Sequence, residues 1–473
     1  MKKLIFTFFA IALFASCKEE KKETKIVDEP KTSVEIEPIS DEVLETAVIY
    51  EANIRQYSPE GTFAEFTKDI PTLKQLGVKV IWLMPVFPIS ETKRKATGGE
   101  GSKFASDFPE EEQSKYLGSY YAVTDFTEIN PEFGNKEDFR ELVKTAHDNG
   151  IYVILDWVPN HTGWDHEWLK NHPEYYTQNE EGEVIHPEGT DWTDVADLNY
   201  DNQDMRKEMI EDMLYWVKDE GVDGFRCDVA GSVPVDFWET AISKLRSEKD
   251  VFMLAEAWEP ELLKGELFDM AYAWNGHNLM NGMAKDEKTT QDFDEYMSKV
   301  SNDYEADDIL MNFVTNHDEN SWNGTIKERM GDKKDVFTAL EYMMPGMPLI
   351  YSGQEYDMNH RLKFFEKDSI PKAKGKYFDL LKKLGELKNT NPALNGGKNA
   401  ADYKRIDSND GILIFERSKD GQSIVFIANF SGSGNRIIIP KGKYKNYLTG
   451  EIEDYDFNAQ PIDPNVYKIL IKQ

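Results

Sequence analysis

The chain has 473 residues, of which 40% are hydrophobic and 30% charged. That is enough apolar matter for a large buried core and too much chain for one small domain, so global disorder is excluded. The formal charge of −32 excludes a nucleic-acid partner, because phosphate binding needs clustered Lys and Arg, but not a neutral substrate.

Lys2 and Lys3 precede a mostly apolar run over residues 4–14, followed by Ala15, Ser16 and Cys17. A short basic start, an apolar stretch of this length and small residues before a cleavage point describe an export signal over residues 1–17. The run is too short to span a bilayer. Phe14-Ala15-Ser16-Cys17 resembles a bacterial lipobox, in which the Cys becomes the lipid-bearing first residue. That resemblance implies an outer-membrane lipoprotein of a Gram-negative bacterium that meets the membrane only through the lipid on Cys17. The charged run 18–23 is similar to the acidic tags that send some lipoproteins to the cell surface, and the surface and periplasmic faces both stay open. Residues 18–45, charged and interrupted by Pro30 and Pro38, read as a flexible linker, with order expected from Thr46. Cys227 is the one cysteine besides Cys17, so no disulfide framework forms.

From Thr46 onward strand-like and helix-like segments alternate. Runs rich in Val, Ile, Leu and aromatics occur at 48–54, 78–84, 151–157, 222–229, 251–258, 268–274, 309–315 and 347–351. Amphipathic stretches lie between them, among them 136–149, 204–220, 236–248 and 335–344. Eight strands alternating with helices predict an α/β fold, a parallel (β/α)8 TIM barrel over residues 46–390. Two connections, 85–135 and 162–201, are too long for plain loops, and such insertions are usually functional. The second predicts a small domain inserted after the third strand. Beyond Asn389 short alternating strands at 411–416, 423–428 and 436–439 predict a C-terminal antiparallel β domain over 391–473.

Catalytic residues of such barrels sit at the C-terminal ends of strands. Five strand ends here are unusually polar: Asp156 to His161, Arg226 to Asp228, Glu256 to Glu259, Asn316 to Asp318, and Gln354-Glu355. Charge at the end of a buried strand costs stability unless it is paired or used. Three carboxylates from different strands around one pocket suit glycoside hydrolysis: one attacks the anomeric carbon, a second gives a proton to the leaving oxygen, a third stabilises the positive sugar. Arg226 stands two residues before Asp228, on the same strand face, where it can keep that carboxylate ionised.

These strings resemble, in order, the signature regions of the α-amylase superfamily, glycoside hydrolase family 13. Residues 156–161 match the first region, 224–228 the second, Glu256 the third and 313–318 the fourth; outlying matches fall at 77–85, 195–199 and 346–355. The resemblance implies Asp228 as nucleophile, Glu256 as general acid/base and Asp318 as transition-state stabiliser. It further implies that Tyr121, His161, Arg226 and His317 line the subsite of the sugar being cleaved, that 162–201 is the family's B domain, and that the reaction retains anomeric configuration. Asn160 and Asp197 occupy positions where the family places side-chain oxygens on a structural Ca2+, and oxygen ligands suit that ion.

Two departures matter. Gly231-Ser232 replace the Lys-His that usually follows the second region, which removes a lysine from the leaving-group side; the Ser232 carbonyl can still serve the ion. Asn199, in Val195-Ala196-Asp197-Leu198-Asn199, leans toward oligosaccharide-acting and debranching members. The expected function is hydrolysis of α-1,4-glucosidic bonds in starch, glycogen or maltodextrins. A cyclomaltodextrinase, neopullulanase or oligosaccharide α-glucosidase, an α-glucan transglycosylase and an inactive glucan-binding lipoprotein remain alternatives. The expected partner is an α-glucan, and a monomer is expected. Trp157, Trp164, Trp168, Trp192 and Trp258 cluster near the expected pocket, where one or two would serve as sugar platforms. Cys227 should point away from Arg226 and Asp228, into the core.

Overall fold

The strand-like runs become eight parallel strands: Val48–Ala52, Val78–Leu83, Tyr152–Trp157, Gly224–Cys227, Phe252–Ala255, Met270–Tyr272, Ile309–Asn312 and Met347–Tyr351. They close into a barrel in sequence order, the last pairing with the first at Ile49 and Leu349. The computed structural model describes residues 36–99, 101–407 and 411–473. The export signal, Cys17 and most of the expected linker lie outside them.

Side chains alternate across each strand, and this period of two sorts the apolar residues into two cores. Ile49, Val80, Ile154, Leu254, Met311 and Leu349 fill the barrel interior, while Val48, Ile81, Val153, Phe225, Met253 and Ile350 face the helices. Cys227 lies fully buried in this outer layer, turned away from the barrel axis. Helices Lys136–Asp148, Gln203–Lys218, Val235–Glu248 and Lys334–Met343 cover it, close to where the sequence places them. The fourth and fifth strands stop at Cys227 and Ala255, each one residue before a carboxylate, Asp228 and Glu256.

The linker expectation is corrected at its C-terminal end. Residues 41–46 form a helix, and Ile39 and Leu44 plug the bottom of the barrel interior. The buried Lys388 ammonium donates to the Glu45, Gly346 and Leu394 carbonyls at 3.1, 3.0 and 2.6 Å. Asn399 donates to the Glu45 carboxylate at 2.6 Å. A segment rich in charge therefore joins the fold because partners more than 300 residues away take up the carbonyl and the carboxylate of Glu45.

After the third strand the chain leaves the barrel. His161–Gly163 pairs antiparallel with Val195–Asp197, enclosing the short helix Glu167–Asn171. At the other end of the chain six antiparallel strands run in the order Asp402–Asp407, Ile412–Lys419, Gln422–Asn429, Tyr467–Lys472, Gly442–Asn446, Ile452–Tyr455. One face, with Leu413, Phe415 and Phe426, joins the core of the helical layer. The other packs Ile414, Val425 and Leu470 on Ile437, Ile439 and Ile462. The stretch expected as a strand at 436–439 is Asn435–Ile437, which pairs with Gln460–Ile462 in a separate ribbon.

Candidate active site

The fourth strand begins at Gly224, φ +150°, where a Cβ would lie 1.9 Å from the Phe252 carbonyl oxygen. Only glycine lets the fourth and fifth strands approach this closely. Two residues on, Arg226 points into the barrel in register with Asp156 of the third strand. Beyond the strands the ladder continues: the Asp228 amide donates to the Trp157 carbonyl at 2.8 Å and the Glu256 amide to that of Cys227 at 3.0 Å. Those bonds aim the two side chains into one cavity.

Arg226, wholly buried, holds the cluster together. Its Nη1 lies 2.7 Å from Asp156 Oδ1 and 2.9 Å from Asp228 Oδ1, and Nη2 lies 2.8 Å from Glu256 Oε2. The last contact is an ion pair off hydrogen-bond geometry. Nε donates to the Tyr272 hydroxyl at 3.1 Å. Burial opposes the charge on Arg226, but Asp156 and Glu256 outweigh it and hold the guanidinium firmly protonated. Burial, then the Glu256 carboxyl beside it, raises Asp228 well above the usual carboxylate range, with Arg226 opposing. Asp228 therefore keeps its proton into a higher pH range than an isolated carboxylate.

Val229, directly after Asp228, adopts φ +39°, a left-handed conformation that is costly for a β-branched residue. The strained turn aims the Val229 amide at Glu256 Oε2, 2.8 Å away. Asp318 enters from the seventh strand and starts a π-helical turn, Glu319–Asn323, a rare element often found at functional sites. Glu319 anchors that turn to His277 at 3.1 Å and to Arg329 at 3.6 Å.

His317 lies buried between two acids. Nδ1 donates to Glu51 Oε1 at 2.6 Å, and Nε2 lies 2.8 Å from the Tyr121 hydroxyl and 3.5 Å from Asp318 Oδ2. Burial alone would discharge the ring, yet Asp318 and Glu51 raise it to about 9. Both ring nitrogens therefore donate, and the Tyr121 hydroxyl donates in turn to Asp156 Oδ2 at 3.1 Å. His161 is the opposite case: burial lowers it to about 3, so the ring is neutral. With the Asn160 amide 3.3 Å from Nδ1, its Nε2–H remains as a donor.

All the expected site side chains other than Asn160, Asp197 and the deeply buried Arg226 line one cavity of about 430 Å³: Asp228, Glu256, Asp318, Tyr121, His161 and His317. Asn160 and Asp197 stand behind His161, where Asp197 faces it across the two-stranded ribbon. The tryptophans divide by depth. Trp157 and Trp168 are buried in the helical core, whereas Trp192 and Trp322 line the cavity and Trp258 is 55% exposed. Sequence reasoning missed Glu51, Trp322, Phe364 and Phe365. Glu51 did leave a signal, a carboxylate inside the wholly buried strand Val48–Ala52.

Glu51→Gln is expected to lower kcat/KM about 10- to 100-fold, the equivalent of one charged hydrogen bond of about 1.5–3 kcal/mol. It should also draw the alkaline limb of the pH–rate profile to lower pH, because His317 loses a counter-charge. The stability that His317 gains by charging is complete below about pH 6.5 and lost as pH rises through about 9, so the variant should lose its deficit above that range. An unchanged alkaline limb would detach Glu51 from the site.

The model of the α-amylase catalytic domain matches residues 49–183 and 189–393. α-Amylase MalA of Haloarcula japonica is 24% identical over 420 residues, covering 84% of this chain and 57% of that protein. α-Amylase 3 of Dictyoglomus thermophilum is 27% identical over 352 residues, covering 66% and 64%. The chain thus spans less than two thirds of the length of these curated relatives. The crystal structure of an α-amylase from Lactobacillus plantarum superposes with a TM-score of 0.80 at 28% identity, covering 92% of this chain and all of that one. With its closed parallel barrel, its carboxylates at three strand ends and this match, the chain belongs to the α-amylase family, glycoside hydrolase family 13.

Proposed function

We propose that the chain is a retaining glycoside hydrolase that cleaves α-1,4-glucosidic bonds of starch, glycogen or maltodextrins. The observation that carries this reading is the single guanidinium of Arg226, within 2.9 Å of both Asp228 and Glu256. It supports the close carboxyl spacing of retaining enzymes, about 5–5.5 Å. In this mechanism the sugar to be cleaved lies against Tyr121 and His317, with His161 Nε2–H donating to its hydroxyls. Asp228 attacks C1 as Glu256 gives its proton to the leaving oxygen, and a covalent glucosyl ester forms. Glu256 then takes a proton from water, which attacks C1 and releases Asp228. Asp318, more open at 38% side-chain exposure, faces the positive charge of both transition states. The test is a time course of the full-length protein, solubilised in detergent, on amylose and maltoheptaose with products resolved by length. Shorter products support the reading. Products longer than the substrate would replace it with transglycosylation, and no turnover would leave a glucan binder.

A structural Ca2+ at Asn160 and Asp197 belongs to the same proposal. The Leu198 amide donates to the Asn160 carbonyl at 3.1 Å, which sets Asn160 beside Asp197, and oxygen ligands of this kind suit a hard cation. Among the described residues no three His, Cys, Asp or Glu side chains gather into a metal site. The remaining ligands would be carbonyls and water. Chelation is expected to lower the melting temperature by a few degrees, since an ion at a hundredfold excess over its Kd contributes about 2.7 kcal/mol. No change on chelation would remove calcium from the account.

The proposal also places the enzyme at the outer membrane through lipid on Cys17. Among the described residues no helix is long and apolar enough to cross a membrane. Cys17→Ala should release activity from the membrane fraction, and retention there would refute the anchor.

A further inference from the structure

Gly98, Trp322, Phe364 and Phe365 line one part of the cavity, and the proposed chemistry says which end of the glucan meets them. The acid must face the leaving oxygen, so the departing chain runs out past Glu256, over the loops after the fourth and fifth strands. The retained chain runs the opposite way, toward loops after the second, seventh and eighth strands, which stand across the closed barrel.

On that far side the three loops touch. A Cβ at Gly98 would lie 2.9 Å from the Trp322 ring, so the backbone of the second-strand loop rests directly on that indole. Trp322 meets Phe364 and Phe365 with ring centroids 5.1 and 5.9 Å apart. The Leu117 amide donates to the Phe365 carbonyl at 2.6 Å. Lys95, three residues before Gly98, is buried; it donates to the Asp191 carbonyl at 2.5 Å and pairs with Asp194 at 3.6 Å. The wall is thus fastened at both ends. On the leaving side Trp258, two residues after Glu256, is 55% exposed and position 231 is a glycine; Trp322 in the wall, 44% exposed, is backed by Gly98, Phe364 and Phe365.

We infer that the site is an end-acting pocket, in which Gly98, Trp322, Phe364 and Phe365 stop the retained chain after a short length. Glucans therefore enter by their non-reducing ends, and short products of uniform length leave. This rests on the hydrolase reading and adds the polarity and size of what it releases. The side chains of the wall are aromatic, so it blocks by shape.

The test compares full-length protein, solubilised in detergent, on p-nitrophenyl α-maltoheptaoside and on the same compound blocked by 4,6-O-ethylidene at the non-reducing end, with products separated by chromatography. The free substrate should be cleaved to one short product, and the blocked one at least about 100-fold more slowly. Trp322→Ala should raise the ratio of blocked to free rates about tenfold or more. Equal rates on both substrates with a mixed ladder of products would overturn the end-acting pocket while leaving the hydrolase intact. An unchanged ratio in Trp322→Ala would overturn the wall as its cause. Cleavage of neither substrate would sink the hydrolase reading and this inference with it.

Discussion

Asp228→Asn is expected to lower kcat on amylose by on the order of 10⁴-fold, because the amide cannot form the covalent ester and nothing else in the cavity stands in its place. Glu256→Gln should cost about 10²–10⁴-fold on the same substrate, but far less on a maltosyl substrate whose leaving group needs no proton. The contrast separates the two carboxyls, which share one guanidinium. The same leaving-group dependence in both variants would mean that the roles are misassigned. The geometry explains why the loss should be chemical. Asp228 keeps its backbone bond to Trp157, and Glu256 keeps the Val229 amide as a donor to its side chain, so each isosteric change leaves the turn in place.

Arg226→Leu should be the most destabilising single change in the site, by about 3–5 kcal/mol, the cost of breaking a buried ion pair and stranding its partners. Here three carboxyls, Asp156, Asp228 and Glu256, lose their shared cation. The pH dependence carries its own sign. Burial, opposed by Arg226, already raises Asp156 to about 6, and burial with Glu256 raises Asp228 further above the ordinary range. A carboxyl raised in the folded state holds its proton more tightly there, so stability falls as pH climbs from the unfolded value, near 4, through the folded one. Without the guanidinium those folded values rise again. The deficit of the variant should therefore be small near pH 4.5 and widen toward pH 7.5 in denaturant titrations. A deficit independent of pH would mean that lost packing outweighs stranded charge.

The tertiary structure also accounts for what local pattern conceals. Glu51 and His317 are 266 residues apart in the chain yet 2.6 Å apart in space. Nothing near Glu51 in the sequence announces a partner; only closure of the barrel, first strand beside last and next but one to the seventh, brings them together. The wall of the pocket has the same origin. Gly98, Trp322 and Phe364 come from three loops, and no periodicity runs through loops. The tryptophans divide by depth, which an aromatic residue alone does not reveal: Trp157 and Trp168 face the helices, Trp192 and Trp322 the cavity. Residues 41–46 read as tether because the groups that hold Glu45, Lys388 at its carbonyl and Asn399 at its carboxylate, lie far along the chain.

What the sequence by itself determined is the barrel. Strand periodicity, helix amphipathicity and the points where apolar runs end in Asp156, Asp228, Glu256 and Asp318 are all local, because a buried strand must be apolar and a charge at its end must have a use. These positions already foreshadow a ring of acids at one mouth of the barrel. What only the tertiary structure decided is the state of each acid and the shape of the cleft. Both depend on sums over neighbours brought from distant parts of the chain: burial and Glu51 around His317, one guanidinium among three carboxyls, and three loops meeting on one side of the cavity.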